Sequence, residues 1–353
     1  MNIRDNNFSS LRFAGAVMVI AGHMCNLLLS SPPVLFGRVI HAIGVDILFL
    51  VGGCLIGQSW LSDPHPLRYS VKRISRIWPP LAAFVLVAAF VAGPLLTRLP
   101  LGEYFTHPMT AQYLQNLWFH TQFSLPGVLE QNLVPNTING SLWTLPLEML
   151  MYLVVPCLLC LFRVKKNDQR KAPWLGVLVV VAGVCGLEIW KNAVLPGEVL
   201  VWADINWFAA LDILPFYFIG ILYGAPAARK YLNLPLAAVL MLLACCFNLG
   251  SALNSVMMYT VFPYFIFSLA YTPASRLSKL LDKYEISYGL YLYGFFVQQL
   301  LIHFTMTDGI VWFSPSVYVV LSLAGTTVLA LLSARFIEKP CLRLSKKILK
   351  KLS

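Results

Sequence analysis

The chain has 353 residues, 58% of them hydrophobic and only 12% charged. Soluble proteins carry about 25% charged residues, so too little polar surface is available for a soluble globular protein. A disordered chain is excluded too, because disorder needs low hydrophobicity and high charge.

A bilayer-crossing helix needs about 20 mostly apolar residues. Ten such runs follow one another at 11–30, 43–60, 79–97, 141–162, 173–191, 207–225, 232–249, 252–271, 286–305 and 315–334. The intervening 98–140, rich in Pro, Gly, Asn and aromatics, reads as an extramembrane or re-entrant loop with room for an interfacial helix. The fold class expected is all-α, a polytopic membrane protein forming a single membrane domain over 1–353 with no appended soluble domain. The first run is long, contains His23 and lacks an A-x-A-like cleavage site after it, which argues against a signal peptide.

Ten crossings put both termini on one side, and basic residues say which. Of the 26 Lys and Arg, 23 fall in one set of loops, Arg4, Arg68, Arg170 and the tail from Arg335 to Lys351 among them. Only Arg38, Arg98 and Lys191 fall in the other. The positive-inside rule then makes both termini cytoplasmic. The net charge of +11 is therefore an orientation signal, and no nucleic-acid partner is expected. Seven of the eight cysteines lie in apolar runs and read as small buried hydrophobes. The C-x-x-C spacing of Cys157 and Cys160 has no second metal pair and no thioredoxin-like context.

Ionisable residues inside a membrane are costly and mark candidate sites. Arg12 and His23 are 11 residues apart, close to three helical turns, so they share a face with about 16 Å between them along the axis. Asn26 extends that polar stripe. Asp46 is a buried acid near the outer end of the second run. Arg73 and Arg76, at i and i+3, form either a cytoplasmic anchor or a pair of guanidinium groups able to grip phosphate bidentately. In Ser141-Leu142-Trp143-Thr144-Leu145-Pro146-Leu147-Glu148, followed by Tyr152, the polar residues share a stripe if the helix is continuous; Pro146 can instead start or kink it. The stripe is either an interhelical hydrogen-bond network or a site. Glu188, Asp212, Gln298, Gln299 and His303 are weaker candidates. Gly53/Gly57 and Gly220/Gly224 have the small-xxx-small spacing of packed helices.

Six segments together resemble the membrane acyltransferase-3 family of bacterial O-acyltransferases. Arg12 and His23 reproduce its Arg, ten residues, His motif. Gly44-Val45-Asp46-Ile47-Leu48-Phe49 is similar to its second-helix motif, and Arg73-Ile74-Ser75-Arg76 to its R-x-x-R loop. Ser141 to Tyr152 resembles its S-L-W-x-L-x-x-E-x-x-x-Y motif. Ser287-Tyr288-Gly289-Leu290-Tyr291-Leu292 and Phe336-Ile337-Glu338-Lys339-Pro340 are similar to its last two signatures. The chain departs from the family at Gly52, where Ser is common, and at Gly294, where His is common. His23 is then the sole imidazole at a motif position.

The resemblance implies a ten-helix protein of the bacterial inner membrane. It implies transfer of an acyl group, most often acetyl from acetyl-CoA, to a hydroxyl of a surface glycan such as O-antigen, lipopolysaccharide or exopolysaccharide, with no metal. In that frame His23 is a general base or a transient acyl carrier. Arg73 and Arg76, helped by Arg12, hold the CoA phosphates, while Glu148 with Trp143, Tyr152, Ser141 and Asn26 meets the acceptor. Asp46 is placed to fix the imidazole tautomer, and loop 98–140, with Trp118, His120, Phe123 and Asn139, to set acceptor specificity. Membrane lipids and a lipid-linked or surface glycan are the expected partners. The competing class is a transporter or flippase for a lipid-linked sugar, which needs no acyl donor and for which inverted repeats are not evident.

Overall fold

The computed structural model describes residues 6–28, 30–166, 171–246, 251–284 and 286–352. Arg4 and Arg170 lie outside them, as do the side chains of Lys171 and Cys246. In chain order the helices are α1 (Phe8–Leu27), α2 (Ile40–Ser62), α3 (Pro66–Val87), α4 (Gly93–Leu96), α5 (Leu101–Thr106), α6 (Pro108–Tyr113), α7 (Thr144–Leu161), α8 (Lys171–Val194) and α9 (Trp207–Leu211). They continue as α10 (Leu214–Tyr223), α11 (Pro226–Arg229), α12 (Leu234–Cys246), α13 (Ser251–Ala270), α14 (Arg276–Tyr284), α15 (Ser287–Phe304), α16 (Pro315–Ser333) and α17 (Lys339–Lys351). Among the described residues the strands are three antiparallel two-residue pairs at helix connections: β1 (Val34–Leu35) with β2 (Arg38–Val39), β3 (Val201–Trp202) with β4 (Ile205–Asn206), and β5 (Met306–Thr307) with β6 (Ile310–Val311).

The described residues of each of the ten apolar runs are mostly helical. Seven helices are long and apolar enough to cross a membrane: Phe8–Leu27, Ile40–Ser62, Pro66–Leu96, Gly140–Leu161, Ala172–Val194, Leu253–Ala270 and Pro315–Lys351. Trp207–Tyr223 and Leu234–Cys245 are shorter apolar helices. Large aliphatic side chains stand exposed along α8 (Leu178, Val179, Leu187), α12 (Leu242, Leu243) and α16 (Val320, Val328). Such faces mark an interaction surface, and on helices of this length the partner they fit is hydrocarbon. The same reasoning corrects the expectation for the cysteines: Cys54 is buried, whereas Cys157, Cys160 and Cys245 are exposed and unbridged. A thiol that faces lipid need not be buried in protein.

The chain divides into two compact units. The first takes residues 1–18, 33–69 and 148–283. Its centre is the pair α2 and α10. A Cβ on Gly53 would come within 2.0 Å of the Tyr217 carbonyl oxygen, and one on Gly220 within 2.1 Å of the Leu50 carbonyl oxygen. The backbones touch, as the small-xxx-small spacing predicts. Around them pack Phe8, Leu11, Ile43, Leu50, Val51, Phe216, Phe262 and Phe267. The start of α1 is tied down by Asn7, whose Nδ2 donates to Thr272 Oγ1 (2.9 Å) and to the Pro273 carbonyl (3.0 Å).

The second unit takes residues 19–32, 70–147 and 284–353. Here α3 runs on through a π turn at Ala88–Ala92 into α4. A π turn misaligns the backbone ladder, and the Ala89 carbonyl accepts instead from Tyr104 Oη (2.8 Å). Gly93 makes room, since a Cβ there would lie 1.9 Å from the same hydroxyl. The segment 98–140 is a folded cap: α5, α6 and a 3₁₀ turn at Leu114–Trp118 precede irregular chain that buries Leu125, Val128, Leu129 and Ile138 in one core with Tyr104 and Tyr113. Helices α15 and α16 pack closely at Gly289, where a Cβ would meet Ala330 at 2.9 Å. A second π turn at Ala334–Glu338 follows, and Tyr293 Oη donates to Ser333 Oγ (2.9 Å), which donates to Glu338 Oε1 (3.1 Å). Glu338 is thus tied to α15 at the residue after Leu292.

Candidate active site

His23, Asn26, Arg73, Arg76, Ser141 and Trp143 belong to the second unit. His23 is half-buried on α1 with its ring edge-to-face against Phe295 of α15, centroids 5.6 Å apart. Asn26, one turn further along, is exposed. Gly294 lies against Ile20, one turn before His23; a Cβ there would be 2.9 Å from Ile20 Cγ1. Gly294 is thus a close contact with α1.

Arg73 and Arg76 lie half-buried on α3, one turn apart as the spacing predicts. The helix carrying them is pinned one turn later by Tyr288 Oη, which donates to the Ile77 carbonyl (3.2 Å), and by Trp78 Nε1, which donates to the Leu117 carbonyl (3.1 Å). Two guanidinium groups thus stand one turn apart on a helix fixed by two hydrogen bonds.

Of the two possibilities for Pro146, the helix starts just ahead of it. Gly140–Trp143 is a 3₁₀ turn and α7 begins at Thr144, so Pro146 falls in the first turn, where its missing N–H has no helical partner to lose. Ser141 is therefore off the α7 stripe. Asn139 organises the turn: its Oδ1 accepts from the Ser141 N–H (3.0 Å) and its Nδ2 donates to the Leu292 carbonyl (2.7 Å). Thr144 Oγ1 shares a 2.7 Å hydrogen bond with Tyr291 Oη. Asn139 is 0% exposed and fully engaged, so of the loop residues expected to read the acceptor, Trp118, Phe123 and His120 are on the surface side and Asn139 is a framework residue.

Arg12, Asp46, Glu148 and Tyr152 belong to the first unit. Arg12 Nη2 donates to Ser9 Oγ (3.3 Å), and Ser9 Oγ donates to Asp282. Glu148 Oε1 accepts from Tyr152 Oη at 2.5 Å across one turn of α7.

Asp46 has a partner that sequence reasoning treated only as an orientation marker. Arg38, just before α2, reaches it twice, Nε to Oδ2 at 2.9 Å and Nη2 to Oδ1 at 3.1 Å. Arg38 also donates to the Asp212 carbonyl (3.1 Å), stands 4.0 Å from Glu188, and lies over the Phe216 ring. Lys191 pairs with Asp212 at 2.7 Å, and Asn192 Nδ2 donates to Glu188 Oε1 at 2.6 Å. Burial pulls the Arg38 pKa down, but Asp46, Tyr259, Asp212 and Glu188 together outweigh it and leave the pKa above its ordinary value. Three acids and two cations thus form one network, in which Asp46, Glu188 and Lys191 are buried. Arg38 and Lys191 are two of the three basic residues on the sparse side of the charge split. Among the described residues no group of three or more His, Cys, Asp or Glu side chains could hold a metal ion.

Long apolar helices with lipid-facing aliphatic surfaces and polar side chains turned inward make this a multi-pass membrane protein. The model of an acyltransferase domain matches residues 5–335, and the chain belongs to that family, the acyltransferase-3 proteins that its six motifs resemble. It is 27% identical over 346 residues to an O-acetyl transferase of Shigella phage Sf6, covering 95% of this chain and 96% of that one. It is 27% identical over 367 residues to nodulation protein 10 of Rhizobium leguminosarum bv. viciae, covering 96% and 94%. A 149-residue stretch is 30% identical to regulator of hypoxia-inducible factor 1 of Caenorhabditis elegans, 40% of this chain and 26% of that protein. No solved structure matches.

Proposed function

We propose that this protein transfers an acetyl group from acetyl-CoA to a hydroxyl of a cell-surface glycan at the bacterial inner membrane. The observation that carries the reading is family membership along 5–335, supported by full-length similarity to a phage O-acetyl transferase. His23 takes the proton of the acceptor hydroxyl. The oxygen attacks the thioester carbonyl, the C–S bond breaks, and the departing thiolate takes up the proton. In the alternative order the imidazole first accepts the acetyl group, releasing CoA, and then passes it to the hydroxyl. Arg73 and Arg76 bind the CoA phosphates. Arg12 and the Glu148–Tyr152 pair keep the roles that the family motifs give them, and Ser141, Trp143 and Asn26 those of acceptor contacts; Asp46, held through both oxygens by Arg38, serves that ion pair in place of the imidazole. Ten crossings with cytoplasmic termini, a single membrane domain, and a lipid-linked or surface glycan acceptor complete the reading.

The test uses membranes holding wild type or His23→Ala, supplied with radiolabelled acetyl-CoA and the host's glycan. Wild type labels the glycan and the variant loses at least about a hundredfold in rate, the usual contribution of a general base. Labelling by the variant at wild-type rate would remove His23 from the chemistry, and a wild type that neither binds nor consumes acetyl-CoA would return the transporter reading.

A further inference from the structure

Helix α14 docks on the start of α1. Asn7 Oδ1 accepts from the Ser275 N–H (2.8 Å), and the Asn6 carbonyl accepts from Ser278 Oγ (3.0 Å). Ser275 also caps α14, its Oγ accepting from the Ser278 N–H (3.0 Å). Ser278 and Leu281 are buried, while Arg276, Lys279 and Lys283 stand exposed. These bonds account for the docking. One contact goes further. Ser9 Oγ donates to Asp282, 273 residues along the chain, and accepts from Arg12 Nη2 at 3.3 Å. A residue of the first-helix motif is thereby tied to a helix that no motif covers.

A serine hydroxyl has one proton and two lone pairs. Asp282 takes the proton of Ser9, so toward Arg12 the oxygen can only accept. A carboxylate on that proton also makes the oxygen a stronger acceptor. Ser9 is 4% exposed, so little water competes for either bond. Without Asp282 the hydroxyl could turn its proton to nearby backbone, as helical serines do. A guanidinium grips phosphate through a planar fork, so its orientation counts as well as its charge. A long side chain held in advance also loses less rotamer freedom on binding. We propose that Ser9 and Asp282 are positioning residues for the acyl donor, holding the Arg12 guanidinium ready for a phosphate of acetyl-CoA. The inference rests on the reading of Arg12 as a donor ligand.

The experiment uses the full-length protein in nanodiscs. The Kd for acetyl-CoA is taken by titration calorimetry, and the unfolding temperature is recorded without ligand. Ser9→Ala and Asp282→Leu are each expected to weaken Kd about fivefold, less than Arg12→Ala does, as fits the partial loss of one charge-assisted bond. Added to Arg12→Ala, neither should weaken Kd further, because both act through that side chain. Asp282→Asn keeps an oxygen for the Ser9 proton and should recover most of the affinity lost in Asp282→Leu. Where Asp282→Leu does not accumulate, Ser9→Ala decides, since it leaves α14 its bonds to Asn6 and Asn7. An unchanged Kd in Ser9→Ala overturns the proposal. So does a fivefold loss on top of Arg12→Ala, which would mean that the contact merely braces α1, or an Asn variant as weak as the Leu variant. Those outcomes leave the donor reading standing. If Arg12→Ala itself binds acetyl-CoA like wild type, that reading of Arg12 falls and the proposal with it.

Discussion

Removing the two ends of the Arg38–Asp46 pair should not cost the same. The network has three acids, Asp46, Glu188 and Asp212, against two cations, Arg38 and Lys191. Arg38→Met strips both contacts from a carboxylate that is 0% exposed and leaves three acids facing Lys191. Breaking a buried pair in this way costs about 3–5 kcal/mol. Asp46→Leu takes the unmatched carboxylate out instead. Arg38 keeps the Asp212 carbonyl at 3.1 Å and Glu188 at 4.0 Å, and two charges of each sign remain. The lost charge-assisted bonds are offset by the carboxylate desolvation no longer required, so the cost should be about 1–2 kcal/mol. The double variant should be less damaged than Arg38→Met alone, a coupling of about 2 kcal/mol in the cycle. Thermal unfolding in one lipid nanodisc preparation ranks the four proteins, and circular dichroism checks that each begins folded. Equal losses for the two single variants, or a larger loss for Asp46→Leu, would refute the charge-balance reasoning.

Gly53→Ala should destabilise by about 1–3 kcal/mol, because α2 and α10 must part to admit a methyl group now 2.0 Å from the Tyr217 oxygen; Gly183→Ala, with nothing within 4 Å, is the control and should be neutral or slightly stabilising in the same unfolding assay. Arg73→Ala with Arg76→Ala should raise the KM for acetyl-CoA at least about tenfold with a smaller change in kcat, each lost phosphate contact being a charge-assisted bond; an unchanged KM at normal protein level would return the pair to membrane anchoring. Asn139→Ala breaks one cap and one carbonyl contact and should lower the unfolding temperature by the equivalent of about 1–3 kcal/mol, while limited proteolysis between 119 and 140 should accelerate if the turn is what holds that segment.

Much of the fold was legible because a membrane imposes one strong rule, long apolar helices, and seven helices satisfy it. The Gly53 and Gly220 contacts were legible for a related reason: only glycine permits a backbone approach of this kind, so spacing alone announces it. Two things were not. The cap 98–140 is ordered by single side chains, Asn116, Asn132 and Asn139, that bond backbone carbonyls far along the chain or across a turn, and Asn in a loop looks the same whether it binds a ligand or a carbonyl. The Arg38 network was hidden for a different reason. Arg38 and Lys191 sit at helix ends, where a topology count accounts for them, while the acids of the network come from α2, α8 and the turn after α9. Sequence spacing reports which residues share a helix face and is silent on charges gathered from several elements. At the candidate site, the Arg12–His23 and Arg73–Arg76 spacings were readable because each pair lies on one helix.

The contact between α2 and α10 also limits how this sequence can change. What stands opposite Gly53 is the carbonyl oxygen of residue 217, and what stands opposite Gly220 is the carbonyl oxygen of residue 50. Every amino acid has that oxygen. A bulky replacement at either position therefore cannot be rescued by a smaller side chain across the way, as it could in an ordinary core. The two glycines are fixed without being coupled, and a search for compensating substitutions between these helices would pass over the place where they are held most tightly.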